Sequence, residues 1–251
     1  MIISIDAGGS LIKTLEWPSL NKKYYEELNN LNSNYKKIII SGGKSNIIEN
    51  YLDDKNKILF SNETIDLALG ASYLSNEESC YIVSIGTGTP IIKKNKNKIK
   101  HIIGTGVGAG TILGLSKILS KESKIETINA MSKKGKSEKL NIKIADIYIN
   151  KSFDLSPNLT AGNFAKKNPE YNNNDLINAL MQMVAESIAS LIASNVKNKN
   201  MKVVIVGGVN FYPIMIEYLK KTLDFYKIKY IFPKNGLYAN CFGALINKGI
   251  L

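Results

Sequence analysis

Arginine is absent from this sequence, so all 33 basic residues are lysine. Without a guanidinium there is no bidentate fork for carboxylate or phosphate, and an anion must be held by ammonium groups, hydroxyls or backbone amides. Histidine occurs once, at His101, and cysteine twice, at Cys80 and Cys241, far apart and without CxxC or Cys/His spacing. That spacing indicates neither a disulfide framework nor a zinc site, and both thiols are expected to be buried, reduced and structural. No uninterrupted apolar run reaches the roughly 20 residues of a membrane span. The opening MIISIDAGGS leads into a strand and a glycine turn rather than a signal-peptide pattern, so a soluble cytoplasmic protein is expected.

What the chain does have is lysine, glycine and apolar residues in quantity. Its net charge is +12, with the lysines scattered in stretches such as KKNKNKIK and MSKKGKSEK that carry no interleaved aromatics. This reads as a solvated surface and not as a nucleic-acid reader, although its field favours the approach of an anionic substrate. With 251 residues, 44% of them hydrophobic, the chain can bury one large core or two packed lobes.

The most informative stretch runs from Ser84 to Leu115. It holds two glycine-threonine turns, Gly86 to Thr89 and Gly104 to Gly106, and then Gly108-Ala109-Gly110-Thr111 at the mouth of an apolar helix. Turns without Cβ atoms let backbone N–H groups and hydroxyls close on an anion, and a helix N-terminus behind them adds a favourable dipole. The expected guest is a polyphosphate.

Taken in order, the chain alternates strands and helices. IISID is a buried strand, Ala7 to Ser10 a hairpin turn and Leu11 to Trp17 a second strand, which sets Asp6 and Lys13 beside a possible phosphate site. A third strand is expected near Tyr24 to Leu28, another over Lys36 to Gly43, a short helix over Lys44 to Leu52 and a brief strand at 58–60. Asn62 is a suitable N-cap for a helix from Glu63 to about Leu74, and Glu63 in its first turn is either a dipole partner or a catalytic acid/base. Strands follow at Cys80 to Gly86, Thr89 to Lys94 and Lys98 to Ile103, then helical segments at Thr111 to Leu119, Ile125 to Ser132 and Ile142 to Tyr148. A loop SPNLTAGNF starts at Ser156, and the long helix Asp175 to Val196 carries an apolar stripe from Leu176 to Ile192 that suits a core or a subunit interface. The strand at 202–208 ends in Gly207-Gly208, before a helix from Phe211 to Tyr226, a strand at 228–232 and a last helix near Leu237 to Asn247. Strand, glycine-hydroxyl turn and hairpin occur twice, near Asp6 and near Gly86, so a twofold mixed α/β arrangement is expected.

These motifs, in this order, resemble the acetate-kinase, sugar-kinase, Hsp70 and actin superfamily, and within it the type II pantothenate kinases. The resemblance spans essentially the whole chain: IDAGGSLIK at Ile5 to Lys13, the helix led by Glu63, the turn at 86–88, the helix start at 108–111, LTAGNF at Leu159 to Phe164, and NGLYANCFGAL at Asn235 to Leu245. It implies an α/β, two-lobed, actin-like ATPase (ribonuclease H-like) fold with the nucleotide between the lobes. The lobes would fall near 1–78 and 79–251, the last helix packing back on the first.

The resemblance further implies Mg-ATP-dependent phosphorylation of pantothenate to 4'-phosphopantothenate by a cytoplasmic homodimer, with no nucleic acid or membrane as partner. Glu63 matches the family's general base. The ATP site would comprise Asp6, Ala7, Gly8, Gly9, Ser10, Leu11, Ile12 and Lys13; Thr87 and Gly88; Gly108, Ala109, Gly110, Thr111, Ile112 and Leu113; and Gly207 and Gly208 beside the adenosine. Asp6 would hold Mg2+ directly or through water, and Thr89, His101 and Ala161 would contact the substrate. Ser10 replaces the family's threonine and keeps the hydroxyl, while Pro90 and His101 stand where the family has a serine and an arginine near pantothenate. Asp66 stands one residue beyond the family's Glu-x-Asp position. Another small hydroxylated acceptor, pantetheine-like or a sugar, and a non-catalytic nucleotide-binding role are the alternatives.

Overall fold

The computed structural model describes residues 1–25, 35–52, 55–148 and 157–251. The first β-sheet is built from β1 (Ile2–Ala7), β2 (Ile12–Trp17), β3 (Lys22–Tyr25), β4 (Lys37–Ser41) and, after the short helix α1 (Ser45–Glu49), β5 (Ile58–Phe60). Its strand order is β3-β2-β1-β4-β5. The third strand lies a little earlier than the sequence suggests, and residues 26–28 of that expectation, like Ser156, lie outside the described residues.

Helix α2 (Glu63–Ser75) links to the second sheet, made of β6 (Ser79–Ser84), β7 (Thr89–Asn95) and β8 (Lys98–Thr105), which α3 (Ala109–Ser120) and α4 (Ile125–Lys134) follow. The helix expected over Ile142 to Tyr148 is instead a two-residue strand, β9 (Ile142–Lys143), and one turn, α5 (Ile144–Ile147); β9 pairs with β10 (Thr160–Gly162) of the LTAGNF segment. Two residues are too few to show a periodicity of two. Then come α6 (Asn173–Asn195), β11 (Val203–Val206), α7 (Pro213–Phe225), β12 (Tyr230–Ile231) and α8 (Ala239–Asn247).

The second sheet has the order β12-β11-β6-β7-β8. Read from the hairpin side, it repeats the first: β6 is antiparallel to β7 and parallel to β11, as β1 is antiparallel to β2 and parallel to β4. The repeat reaches single residues. Gly42 after β4 and Gly207 after β11 both have left-handed φ, 101° and 94°. A Cβ there would come within 2.7 Å of Ala7 O and 2.8 Å of Ile85 O respectively, so both the conformation and the close approach require glycine. Two residues on, Lys44 N donates to Ala7 O at 3.0 Å and Val209 N to Ile85 O at 3.1 Å. Asp6 and Ser84 are thus equivalent positions.

Helix α6 is buried over most of its circumference, with Leu180, Val184, Ile188 and Ile192 fully enclosed against β6, β11, α3 and α7. The apolar stripe is therefore this chain's own core rather than a subunit interface, which corrects that alternative. Among the described residues α6 is also the one helix long and apolar enough to cross a membrane, and its burial marks it as a core helix. Helix α8 leaves the second sheet and lays Cys241, Phe242, Ala244 and Leu245 on Leu15 and Ile39 of the first. It crosses α2 at two glycines: a Cβ on Gly70 would fall 1.7 Å from Ala239 O, and one on Gly243 1.7 Å from Asp66 O. This crossing holds α2, and with it Glu63, against α8. Both cysteines are free and buried.

Candidate active site

A cleft of ≈ 1270 Å³ lies between the two sheets. Its first-sheet wall begins at Asp6, the last cleft-facing residue of β1, which is paired in register with Lys13 on β2. Lys13 Nζ donates to Asp6 Oδ2 at 2.7 Å, and both side chains are largely buried. Burial opposes the Lys13 charge, but the adjacent Asp6 carboxylate outweighs it and holds the ammonium pKa above its usual value. Lys13 is thus a fixed cation at the cleft edge.

Glu63 opens α2, whose N-cap Asn62 accepts from Ile65 N at 3.1 Å. It lines the cleft with Asp6 and Lys13. The surrounding protein pushes its carboxyl pKa up, the Asp6 charge adds to this, and Lys13 works against it. One turn along, Asp66 is fully buried, its Oδ1 accepting from Ser61 Oγ at 2.8 Å and Asn247 Nδ2 at 2.9 Å. Burial raises its pKa as well. Asp66 ties α2 to the end of α8 and does not face the cleft.

The opposite wall is built on glycine turns, and its charged lining residues are Lys117 on α3 and Lys124 and Glu126 at the start of α4. The Gly86–Gly88 turn is fitted onto the first turn of α3: Gly110 N donates to Gly86 O at 3.2 Å, and a Cβ on Gly108 would fall 2.6 Å from Gly86 O. Thr111 Oγ1 accepts from Gly108 N at 3.0 Å and donates to Gly106 O at 3.2 Å, capping α3. Farther along, Gly207 N donates to Gly236 O at 3.1 Å, so the closing Asn235-Gly236 turn, with Asn235 in the left-handed region, supports the Gly207-Gly208 turn. The two walls touch where Ser10 Oγ meets Thr87 Oγ1 at 2.8 Å.

Of the residues singled out in the sequence, the structure gathers Asp6, Gly8, Gly9, Ser10, Leu11, Lys13, Glu63, Thr87, Gly88, Thr89, Ala109, Gly110, Leu113, Gly207 and Gly208 on this cleft. Ala7, Ile12 and Ile112 are buried core residues behind it, and Gly108 and Thr111 support the α3 start from outside the lining. Thr89 turns its hydroxyl to Val107 O at 2.7 Å. His101 and Ala161 are exposed and do not line the cleft. A bulge near Ile92 puts His101 on the Gly104 face of β8, with Nε2 3.7 Å from where a Gly104 Cβ would stand. Pro90 lines the cleft and offers no donor. Among the lining residues missed by sequence reasoning are Tyr24, Phe211 and Asn240, together with Lys117, Lys124, Glu126 and Tyr212. Asn240 on α8 has a legible signal, an asparagine within an otherwise apolar helix start, and its Nδ2 donates to Ser41 Oγ at 3.2 Å.

Residues 71–247 match the family model described as Fumble. Over 266 residues the chain is 30% identical to a type II pantothenate kinase of Bacillus cereus (strain G9842), covering 98% of this chain and 97% of the relative. Over 272 residues it is 31% identical to the type II pantothenate kinase of Oceanobacillus iheyensis, covering 98% and 99%. Among solved structures, the activator of 2-hydroxyisocaproyl-CoA dehydratase from Clostridium difficile with bound ADPNP superposes with a TM-score of 0.64 at 14% identity, covering 98% of this chain and 93% of that one. A ROK family protein from Streptococcus pneumoniae TIGR4 in complex with sucrose gives 0.58 at 15%, covering 98% and 96%. These likenesses establish the two-sheet, actin-like ATPase fold.

Proposed function

We propose, from the premise that this chain belongs to the Fumble family of type II pantothenate kinases, that it transfers the terminal phosphoryl group of ATP to the terminal hydroxyl of pantothenate. The products are ADP and 4'-phosphopantothenate, the first intermediate on the way to coenzyme A. The observation that carries this reading is one cleft with the Asp6–Lys13 pair and Glu63 on one wall and glycine-hydroxyl turns on the other.

The chemistry follows from those groups. Phosphoryl transfer depends on alignment and on charge stabilisation of the phosphate oxygens, with little covalent help from protein. Lys13 supplies a fixed positive charge, and the turns at Gly8–Leu11 and Gly86–Gly88 supply amides and the Ser10 and Thr87 hydroxyls. The acceptor oxygen attacks the γ-phosphorus, the bond to the β–γ bridging oxygen breaks and its electron pair leaves with ADP. Glu63 takes the hydroxyl proton, and its raised pKa makes it a stronger base than an exposed carboxylate. Gly207 and Gly208 take the adenosine end.

Among the described residues no group of three or more His, Cys, Asp or Glu is placed to hold a metal. That suits Mg2+, which is held by one or two carboxylates together with substrate phosphates. Asp6, an oxygen donor at the phosphate end, is the residue that would hold it, directly or through water. The ion would neutralise charge developing on the β- and γ-oxygens. In this reading the lobes fall near 1–78 and 79–251, and the packing of α8 on Leu15 and Ile39 supports its return to the first. The working form is proposed as a cytoplasmic homodimer that uses neither nucleic acid nor membrane, with an interface outside the buried α6 stripe.

The test is to incubate the protein with Mg-ATP and pantothenate, pantetheine or simple sugars, and to follow ADP and phosphorylated acceptor by mass spectrometry. Phosphopantothenate as the favoured product is expected. A clear preference for another acceptor would displace pantothenate and trace the change to Pro90, which brings no donor to the cleft.

A further inference from the structure

Tyr24 lies on β3, directly opposite Lys13 in the β2–β3 register. Residues paired across antiparallel strands point to the same face of a sheet. Lys13 faces the cleft, and Tyr24 therefore does too. β3 is the edge of the first sheet, and Tyr24 remains 47% exposed. Its ring nevertheless meets a ring from the other wall: Tyr24 and Phe211 stand edge to face, with centroids 5.0 Å apart and an interplanar angle of 69°. Phe211 closes the single turn Gly208–Phe211 that follows the Gly207-Gly208 turn. Its carbonyl accepts from Asn129 Nδ2 at 2.6 Å, which fixes that turn to α4. Phe211 is thus anchored, and Tyr24 is the ring that comes to it from across the cleft.

We propose that Tyr24 and Phe211 form an aromatic clasp that retains the nucleotide by holding the cleft closed over it. The proposal rests on the kinase reading above and adds two residues to it. A contact made only with the walls together favours the closed state, and a nucleotide touching both walls binds that state better than the open one. The clasp therefore contributes to nucleotide affinity without touching the reacting atoms. It acts on nucleotide rather than acceptor because Phe211 continues the Gly207-Gly208 turn, which the reading above gives to the adenosine end. The expected size is that of one edge-to-face ring pair, roughly 2- to 12-fold in an equilibrium constant.

The experiment measures ADP dissociation constants by calorimetry for wild type, Tyr24→Ala, Phe211→Ala, the double variant and Tyr24→Phe, alongside steady-state kinetics with ATP and pantothenate. Each alanine variant is expected to weaken ADP binding and raise KM for ATP by roughly 2- to 12-fold, with KM for the acceptor unmoved. Tyr24→Phe keeps the ring and is expected to match wild type. The double variant should bind ADP about as well as the weaker single, since the contact is lost only once. Unchanged ADP affinity in Tyr24→Ala, or fully additive losses in the double variant, would overturn the clasp. Should Phe211→Ala fail to fold, Tyr24→Ala against Tyr24→Phe decides alone. Wild type that binds ADP yet phosphorylates no pantothenate would overturn the acceptor assignment and leave the clasp to be judged on the binding data.

Discussion

At the end of its central strand the first sheet carries Asp6, paired with Lys13 on the hairpin; at the matching place the second sheet carries Ser84, with Pro90 one step beyond the Val83–Ile91 pair. Both halves keep the same glycine pair after the parallel strand and the same amide-to-carbonyl bond beneath it, to Ala7 in one and to Ile85 in the other. The framework is thus repeated while the chemistry is divided. One wall holds the buried Asp6–Lys13 pair and a carboxylate with a raised pKa, and the other sets backbone amides, a threonine hydroxyl and a helix start between its strands, with Lys117, Lys124 and Glu126 on its helices. A polyphosphate with its cation needs both, since charge sets the strength of attraction and closely packed backbone sets where the oxygens sit.

If labour is divided in this way, substitutions at the Asp6–Lys13 pair and Glu63 should cost far more turnover than those in the glycine turns opposite. Glu63→Gln should lower kcat by roughly 10²- to 10⁴-fold, the usual worth of a general base, with ADP affinity nearly unchanged. Lys13→Met should lower kcat/KM by roughly 10²- to 10³-fold, as loss of one preorganised charge-stabilising donor does. It should also lower the melting temperature, because Asp6 is left buried beside an apolar chain. Thr87→Val on the opposite wall removes one hydroxyl and should cost only about 10-fold in kcat/KM. A loss equal to that of Lys13→Met would erase the contrast. Smallest is Gly114→Ala, in α3 behind the glycine turns, where a Cβ meets nothing within 4 Å. It should raise stability by about 0.5–1 kcal/mol in denaturant unfolding and leave kinetics alone.

Much of this was legible in the sequence for physical reasons that are local. Glycine pairs, an N-cap before Glu63 and continuous apolar runs each report a backbone requirement within a few residues, and they fixed the two sheets and most of the cleft lining. The remainder depends on tertiary contacts. Tyr24 acquires a role only because β3 is an edge strand opposite Lys13 and Phe211 approaches from the far wall. The α6 stripe has the same pattern whether it faces a second copy or its own sheet, and only the fold distinguishes them. A bulge that no periodicity announces sets His101 on the Gly104 face of β8, where it stands exposed and outside the lining.

The pH dependence of kcat/KM in wild type and Glu63→Gln tests the division most directly. The base must be ionised to accept the proton, and burial and Asp6 raise its pKa, so wild-type activity should fall as pH drops through a value above the ordinary glutamate pKa of about 4.3. The residual activity of Glu63→Gln should be flat through that limb. The same acidic limb in both proteins would contradict the account, because the titrating group on which turnover depends would then lie elsewhere.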